Sequence, residues 1–190
     1  DVQNLIPGMV DYLKKEGYAY ISEGALVVDV KEETDTKEIP PCIILKSDGA
    51  SLYNTTDLAT IMDRMEQYHP DKMIYITDKR QDLYFEQIFR CARKAKLVEP
   101  ETGLLHIGHG TMNGKDGKPF KTRTGGVMRL EVLMQEINDE MYRKIEESRG
   151  EMDEEAKETA KIVALSAIKY GDLSNQASKD YVFDIDKFTS

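Results

Sequence analysis

The apolar residues of the first fifty positions predict one short helix followed by a small antiparallel sheet. In residues 4–16 they recur every three or four positions, Pro7 stands near the start and Gly17 follows the end, which is typical of an amphipathic helix. The apolar runs that come next are separated by two turn sequences, Ser22-Glu23-Gly24 and Asp48-Gly49, which predict two β-hairpins. The predicted strands are residues 18–21, 25–30, 40–45 and 50–53.

The pattern then changes to helices that alternate with strands, which indicates a parallel α/β layer. Residues 57–68 carry one apolar helical face, and Thr55 or Thr56 is predicted to cap that helix. An apolar run at 72–77 predicts a buried strand, and Gly150 predicts a break between two long helices. The remaining predicted elements are a helix at 82–96, a strand at 104–107 and helical stripes at 130–145 and 153–170.

The length and composition fit one full-sized domain core. The chain has 190 residues, of which 40% are hydrophobic, and no stretch approaches the roughly 20 apolar residues that a membrane span needs. Its formal net charge is -9, and residues 131–158 hold eleven acidic side chains against four basic ones. This balance excludes a uniformly basic nucleic-acid binder, although it allows a local phosphate site.

The first residue and the two cysteines bear on processing and compartment. The chain begins with Asp1 rather than methionine and has no signal-peptide pattern, so we expect it to have been processed or cut from a longer protein. Cys42 and Cys91 lie in apolar or helical surroundings without CxxC spacing. We therefore expect reduced, buried thiols in a cytosolic protein.

One stretch concentrates positive charge in this acidic chain. The basic loop, residues 114–126 with the sequence GKDGKPFKTRTGG, carries glycines at both ends and four cations within nine residues: Lys115, Lys118, Lys121 and Arg123. Glycines let successive backbone N–H groups approach a phosphate, and the cations supply the counter-charge. A solvated glycine–lysine hairpin explains the same composition in an isolated loop. The position between a short apolar strand and a helical pattern favours anion binding.

Two further stretches place polar groups at the starts of predicted helices. In YNTTDLA at 53–59, a threonine cap with Asp57 in the first turn explains the threonines and the aspartate, because the helix dipole favours an anion there. That explanation does not require the tyrosine four residues ahead. In the stretch 75–83 the polar residues follow the carboxyl end of a strand, where open α/β sheets bind ligands. Asp78 and Asp82 fit a simple helix-capping role there.

Together these motifs resemble the arginyl-tRNA synthetases, a family of class I aminoacyl-tRNA synthetases. GKPFKTR at 117–123, followed by a small residue and glycine, is similar to the form that the second class I signature, KMSKS, takes in that family. The run at 53–59 is similar to the family pattern YxTTDLA. KYGDLS at 169–174 and DYVFDID at 180–186 resemble the run that joins the catalytic domain to the anticodon-binding domain. The resemblance covers nearly the whole chain, with its motifs in family order.

The resemblance implies roles for individual residues. Tyr53, Asp57 and Gln81 resemble the family's contacts with bound arginine, and a carboxylate beside an aromatic wall suits a planar guanidinium. The implied catalytic cations are Lys118, Lys121 and Arg123. The implied ATP contacts are Lys118, Phe120, Lys121, Thr122 and Arg123. Phe120 and Lys121 stand where methionine and serine are usual, so the cation that replaces the second signature lysine stays open.

The tetrapeptide His106-Ile107-Gly108-His109 spells HIGH, the first class I signature, whose histidines meet the ATP phosphates from a helix N-terminus. Here it follows a predicted strand and leads into the basic loop, and residues three apart in extended chain point to opposite faces. In the family the corresponding stretch is the strand that feeds the second signature, and the true HIGH lies far upstream. We interpret His106 and His109 as structural, and two histidines without a third ligand do not predict a zinc site.

The fold implied by the resemblance is α/β. It is the second half of a Rossmann-like class I synthetase catalytic domain, with parallel strands and helices, preceded by a small antiparallel insertion and followed by helices. The implied divisions are an insertion-like part at 1–50, a nucleotide-binding half with the basic loop at 51–130, and a helical segment at 131–190 that leads toward the anticodon-binding domain.

The implied activity is that of an arginine–tRNA ligase in the intact enzyme. Such an enzyme uses ATP with Mg²⁺ as a substrate, needs no tightly bound cofactor, and acts on arginine and tRNA(Arg). We expect a cytoplasmic monomer without a membrane, and we expect the chain alone to be inactive, because half of the ATP site belongs to the HIGH segment. Two alternatives stay open: a non-catalytic nucleotide- or arginine-binding module, and an interaction domain that uses the acidic helices at 131–170.

Overall fold

The structure is a computed structural model that describes residues 1–118, 129–150 and 153–184, and it divides into two units, Asp1–Gly108 and His109–Ser190. Unit 1 contains a short 3-10 helix (Gln3–Leu5), α1 (Ile6–Lys15), β1 (Ala19–Ser22), β2 (Ala25–Val28), β3 (Cys42–Leu45), α2 (Tyr53–Tyr68), β4 (Lys72–Asp78), a second 3-10 helix (Lys79–Gln81), α3 (Asp82–Lys94) and all but the last residue of β5 (Gly103–His109). Unit 2 contains β6 (Met112–Asn113), α4 (Leu130–Arg149), α5 (Glu154–Leu173) and β7 (Tyr181–Val182).

The predicted antiparallel sheet is present, but its third strand has a different partner. β1 and β2 form the first predicted hairpin, in which Ser22 lies opposite Ala25. β3 pairs with β2 instead of forming a second hairpin. The predicted strand at 50–53 is wrong: a turn closes after β3, where the Lys46 N–H donates to the Ala50 carbonyl oxygen, and the chain then enters α2.

Helix α2 begins at Tyr53, four residues before the predicted start. Its N-cap is Leu52, so the prediction that Thr55 or Thr56 occupies the cap position is wrong. Thr55 lies inside the first turn, fully buried; its hydroxyl accepts the Leu52 N–H at 3.0 Å and donates to the Ile44 carbonyl at 2.5 Å. Thr55 therefore provides a hydrogen-bond partner for a free backbone N–H at the start of the helix and also links that start to β3. Asp57 consequently lies in the second turn, where the capping explanation for it no longer applies.

Strands β4 and β5 form the predicted parallel pair, with α3 as the crossover between them. At the start of both strands, the Gly103 N–H donates to the Asp71 carbonyl at 2.8 Å. Farther along both strands, Thr77 near the end of β4 is hydrogen-bonded to His106 in the middle of β5 at 2.8 Å. The two strands therefore run in the same direction, as a βαβ unit requires.

The β4–β5 pair is buried on one face only, so the prediction of a buried strand at 72–77 holds for that face and is wrong for the other. Met73 is buried, whereas four large apolar side chains on the two strands are exposed: Ile74, Ile76, Leu105 and Ile107. Parallel sheets usually carry cover on both faces, and this apolar face has none among the described residues.

The core of unit 1 joins the helices to the antiparallel sheet. Its largest fully buried aliphatic side chains are Met9, Leu13, Val28, Ile44, Leu58, Ile61 and Ile88. Burying each of them contributes roughly 1.5 to 3 kcal/mol relative to exposure. Cys42 and Cys91 are buried free thiols in the same core, which confirms their predicted burial.

Unit 2 is built on α4 and α5. Its core contains Leu133 and Ile137 from α4, Ala164 from α5, and Phe183. Gly150 ends α4 with a φ of 77°, which confirms the predicted break, because that conformation suits glycine. The strands β6 and β7 pair in parallel. Within the described residues, none of the helices combines the length and the apolar character that a membrane span requires.

Candidate functional site

Tyr53 and Asp57 lie one turn apart at the start of α2. Residues four apart share a face of an α-helix, so the tyrosine ring and the carboxylate are neighbours on its surface. The Tyr53 side chain is 85% exposed. Asp57 is half-buried. The pair therefore offers an uncovered aromatic ring next to a partly desolvated carboxylate.

Asp57 is held by a residue of the neighbouring helix. Tyr84, in the first turn of α3, donates its hydroxyl proton to the Asp57 Oδ2 at 2.5 Å. Burial raises the pKa of Tyr84, and the hydrogen bond to the Asp57 carboxylate raises that pKa further. The phenol is thus protonated at neutral pH and acts as the donor, which leaves the second oxygen of Asp57 able to accept.

Gln81 is exposed at the end of the second 3-10 helix, immediately before α3. It precedes Tyr84 by three residues, about one turn. Because Tyr84 contacts Asp57, the structure brings the start of α2 and the start of α3 together, and these two helix starts carry all three residues that sequence reasoning selected. Their role as a joint arginine site stays a prediction.

The turn that carries Gln81 is fixed to strand β5. His106 is hydrogen-bonded through Nε2 to Thr77, and its Nδ1 lies 2.9 Å from the Asp82 Oδ1. Its ring stacks on Phe85, with centroids 4.6 Å apart, and its side chain is only 9% exposed. These contacts give His106 the structural role that was predicted.

Gly108 completes this attachment. A Cβ atom there would lie 2.7 Å from the Cα of Lys79, so only glycine lets the Lys79–Gln81 turn approach β5 this closely. His109 is different, since it is exposed and its Nδ1 lies 2.9 Å from the adjacent Gly110 carbonyl. The HIGH-like tetrapeptide thus supports the turn before α3 through its first and third residues.

The two aspartates expected to cap a helix have separate roles. Asp78 is the N-cap of the 3-10 helix, where its Oδ1 accepts the Arg80 N–H at 2.8 Å, which confirms the capping prediction for Asp78. Its carboxylate also receives two hydrogen bonds from the Arg80 guanidinium. For Asp82 the prediction is wrong: it is the first residue of α3, and its carboxylate faces His106.

Only the beginning of the basic loop lies within the described residues. There the Gly114 N–H donates to the Lys118 carbonyl at 2.8 Å, and Gly117 adopts a φ of 70°. Lys115 forms an ion pair with Asp184 at 3.0 Å, whereas Lys118 is exposed. The other residues predicted to contact ATP lie outside the described residues: Phe120, Lys121, Thr122 and Arg123.

Sequence reasoning missed Tyr84, Thr77 and Asp82 as parts of this arrangement. Each is joined to a partner at least 24 residues away in sequence, so no local pattern reveals it. The one available signal was the hydroxyl of Tyr84, which stands one turn after Gln81 in a helix whose inner face is otherwise apolar.

Comparison with known proteins gives the same assignment along the whole chain. The profile of the family described as "tRNA synthetases class I (R), catalytic domain" matches residues 2–185. The arginine–tRNA ligase of Agathobacter rectalis is 67% identical over the full chain, and that of Alkaliphilus oremlandii is 58% identical. The chain spans about a third of the length of these relatives, 33% and 32% respectively.

Solved structures agree with the sequence relatives. The arginyl-tRNA synthetase of Plasmodium falciparum superposes with a TM-score of 0.75 at 25% identity, over 98% of this chain and 30% of that one. The Thermus thermophilus arginyl-tRNA synthetase reaches the same TM-score at 16% identity, over 98% of this chain and 36% of that one, and supports the fold alone. From its motifs, its fold and these relatives, the chain belongs to the family of class I arginyl-tRNA synthetase catalytic domains.

Proposed function

We propose that this chain is part of an arginine–tRNA ligase, which activates arginine with ATP and transfers it to the 3′ end of tRNA(Arg). The position of Asp57 carries the proposal. It is a half-buried carboxylate whose one oxygen is held by Tyr84, beside an exposed Tyr53 and next to the helix start that follows Gln81. This arrangement of a carboxylate and an exposed aromatic ring is better suited to binding a cationic, planar ligand than to packing in the protein core.

The chemistry of arginine recognition follows from these groups. A guanidinium presents N–H donors in a rigid fork, and a carboxylate accepts them in charge-assisted hydrogen bonds. The exposed ring of Tyr53 offers a flat wall for the guanidinium plane. The amide of Gln81, an exposed residue directly before α3, would supply a further acceptor and donor. Lysine, a point charge without the fork, would gain less from such a site.

ATP would enter this reaction as its magnesium complex and as a substrate. Class I synthetases use ATP in general, and the basic loop is the element of this chain that suits its phosphates, through Lys118, Lys121 and Arg123. No covalent enzyme intermediate is needed, because positioning and electrostatic stabilisation of the phosphates are sufficient for adenylate formation.

We further propose that the chain does not catalyse this reaction alone and that the full-length protein acts in the cytoplasm as a monomer. The apolar face of β4 and β5, which none of the described residues covers, supports dependence on further protein, because such faces are normally covered in parallel sheets.

Arginine-dependent exchange of pyrophosphate into ATP, measured with tRNA present, tests the proposal. The full-length protein should show exchange with arginine and much less with lysine, and the 190-residue chain should show none. Exchange driven by a different amino acid in the full-length protein would contradict the assignment. Turnover by the chain alone at a rate typical of a synthetase would contradict its proposed dependence on the rest of the protein.

A further inference from the structure

Among the described residues, the hydroxyl of Tyr84 forms a hydrogen bond with one side chain, that of Asp57. Its ring packs edge-on against Phe85, with centroids 5.1 Å apart at 87°, and its hydroxyl points to the Asp57 Oδ2. A phenylalanine would make the same ring contact. The hydroxyl is therefore not required for packing α3 onto its neighbours, and its effect falls on Asp57.

The hydrogen bond restricts the carboxylate of Asp57. A carboxylate that is free to rotate about its last bond presents its oxygens in many directions, whereas one held at Oδ2 presents Oδ1 in a single direction. Among the described residues, Oδ1 of Asp57 has no hydrogen-bond partner. The held oxygen thus orients the unoccupied one before any ligand arrives, and this lowers the entropy lost on binding.

We propose that Tyr84 is a positioning residue for guanidinium recognition, which acts through Asp57 and raises the selectivity for a guanidinium over a neutral ureido group. The inference rests on the proposed function. It extends the site from the residues that touch the ligand to one that orients them. A neutral ureido group, as in citrulline, keeps the shape of arginine but lacks the positive charge that makes the hydrogen bonds to a positioned carboxylate charge-assisted and strong.

The test uses Tyr84→Phe in the full-length protein, which removes one oxygen atom and keeps the ring. The KM for arginine in pyrophosphate exchange should rise about tenfold, because a hydrogen bond to a charged group is lost, while kcat and the KM for ATP change little. The preference for arginine over citrulline should fall by a similar factor. This preference is a ratio, so it does not depend on the fraction of variant that is folded.

Tyr12→Phe provides the matched control. Tyr12 also belongs to unit 1, and its hydroxyl donates to the Ala95 carbonyl at 3.0 Å, away from the helix starts that carry the site. Its loss should lower stability by a comparable amount and leave the arginine preference unchanged. An equal fall in preference for both variants would show a general effect of hydroxyl loss and would overturn the proposal.

A double-mutant cycle identifies the route of action. If Tyr84 acts through Asp57, Tyr84→Phe should have no further effect on arginine use in the Asp57→Asn background. An undiminished effect there, or an unchanged arginine preference in Tyr84→Phe alone, would overturn the inference and leave the proposed function intact. Failure of the unmodified protein to use arginine would instead overturn the proposed function.

Discussion

The Nδ1 atom of His106 lies 2.9 Å from the Oδ1 atom of Asp82, which joins the middle of β5 to the first residue of α3. Asp82 directly follows Gln81, so this contact fixes the backbone that presents the glutamine. The HIGH-like tetrapeptide, which looks like an ATP-binding signature, thereby supports the backbone next to Gln81, a proposed contact for arginine.

His106→Ala should destabilise the chain by about 2 kcal/mol, because it removes a buried ring stacked on Phe85 together with the 2.8 Å hydrogen bond to the Thr77 hydroxyl. Urea denaturation followed by circular dichroism measures this change. His109→Ala is the matched control in the same tetrapeptide: it is exposed, so the variant should stay within about 0.5 kcal/mol of the parent. Equal effects of the two substitutions would contradict the structural role of His106.

Asp57→Asn in the full-length protein should reduce arginine use at least about tenfold, since it removes the charge that we propose faces the guanidinium. The KM for ATP should change little. Because Asp57 lies in the second turn of α2, the substitution should not weaken the helix start. Asp63→Asn on the same helix, where the carboxylate accepts only from Gln67 among the described residues, is the control and should leave the KM for arginine unchanged. An unchanged KM in Asp57→Asn would remove Asp57 from the site.

Thr55→Val should destabilise unit 1 by about 1 to 3 kcal/mol. Valine matches threonine in shape but leaves the Ile44 carbonyl and the Leu52 N–H without their partner in a buried position. Thr60→Val serves as the control, since among the described residues the Thr60 hydroxyl donates only to the Thr56 carbonyl within the helix. Thermal unfolding should separate the two variants clearly, and coincident midpoints would show that Thr55 does not anchor α2.

Asp35 makes the stability of unit 1 depend on pH in the acid range. Its carboxylate accepts two hydrogen bonds from the Arg90 guanidinium, at 2.7 and 2.8 Å, and these lower the pKa of Asp35 from 3.8 to about 2. A lowered pKa means that the stabilisation is present above the unfolded value of 3.8 and is lost as the pH falls through about 2.

Unfolding free energies measured from pH 6 to pH 2 should therefore fall more steeply below pH 4 for the parent chain than for Asp35→Asn. Asp48→Asn is the comparison, because the Asp48 carboxylate accepts only the Ala50 N–H among the described residues. Parallel pH profiles for the parent and Asp35→Asn would contradict the contribution of the Arg90 pair.

Local periodicity was sufficient to predict the first hairpin, the β4–α3–β5 unit and the break at Gly150. These features depend on neighbouring residues, whose spacing is visible in the sequence. The start of α2 was missed because Thr55 is held by the Ile44 carbonyl, which belongs to another element. The exposure of one face of β4 and β5 within the described part of the chain was missed, because an apolar run predicts burial without revealing whether a partner is present to cover it.

The candidate site shows the same division. Tyr53, Asp57 and Gln81 were selected by resemblance, and the meeting of their helix starts became visible only through Tyr84, 27 residues from its partner. Ion pairs such as Lys115 with Asp184 are likewise set by tertiary contacts. Sequence reasoning therefore selected the groups proposed to touch a ligand and missed the residues that hold them in place.

A crystal structure of the full-length protein with bound arginine would test the central claim most directly. We expect guanidinium nitrogens at about 3 Å from the free Oδ1 of Asp57, with the Gln81 amide and the Tyr53 ring on the same ligand and the Tyr84 hydroxyl still on Oδ2. Arginine bound elsewhere, or an Asp57 side chain turned away from it, would contradict the account.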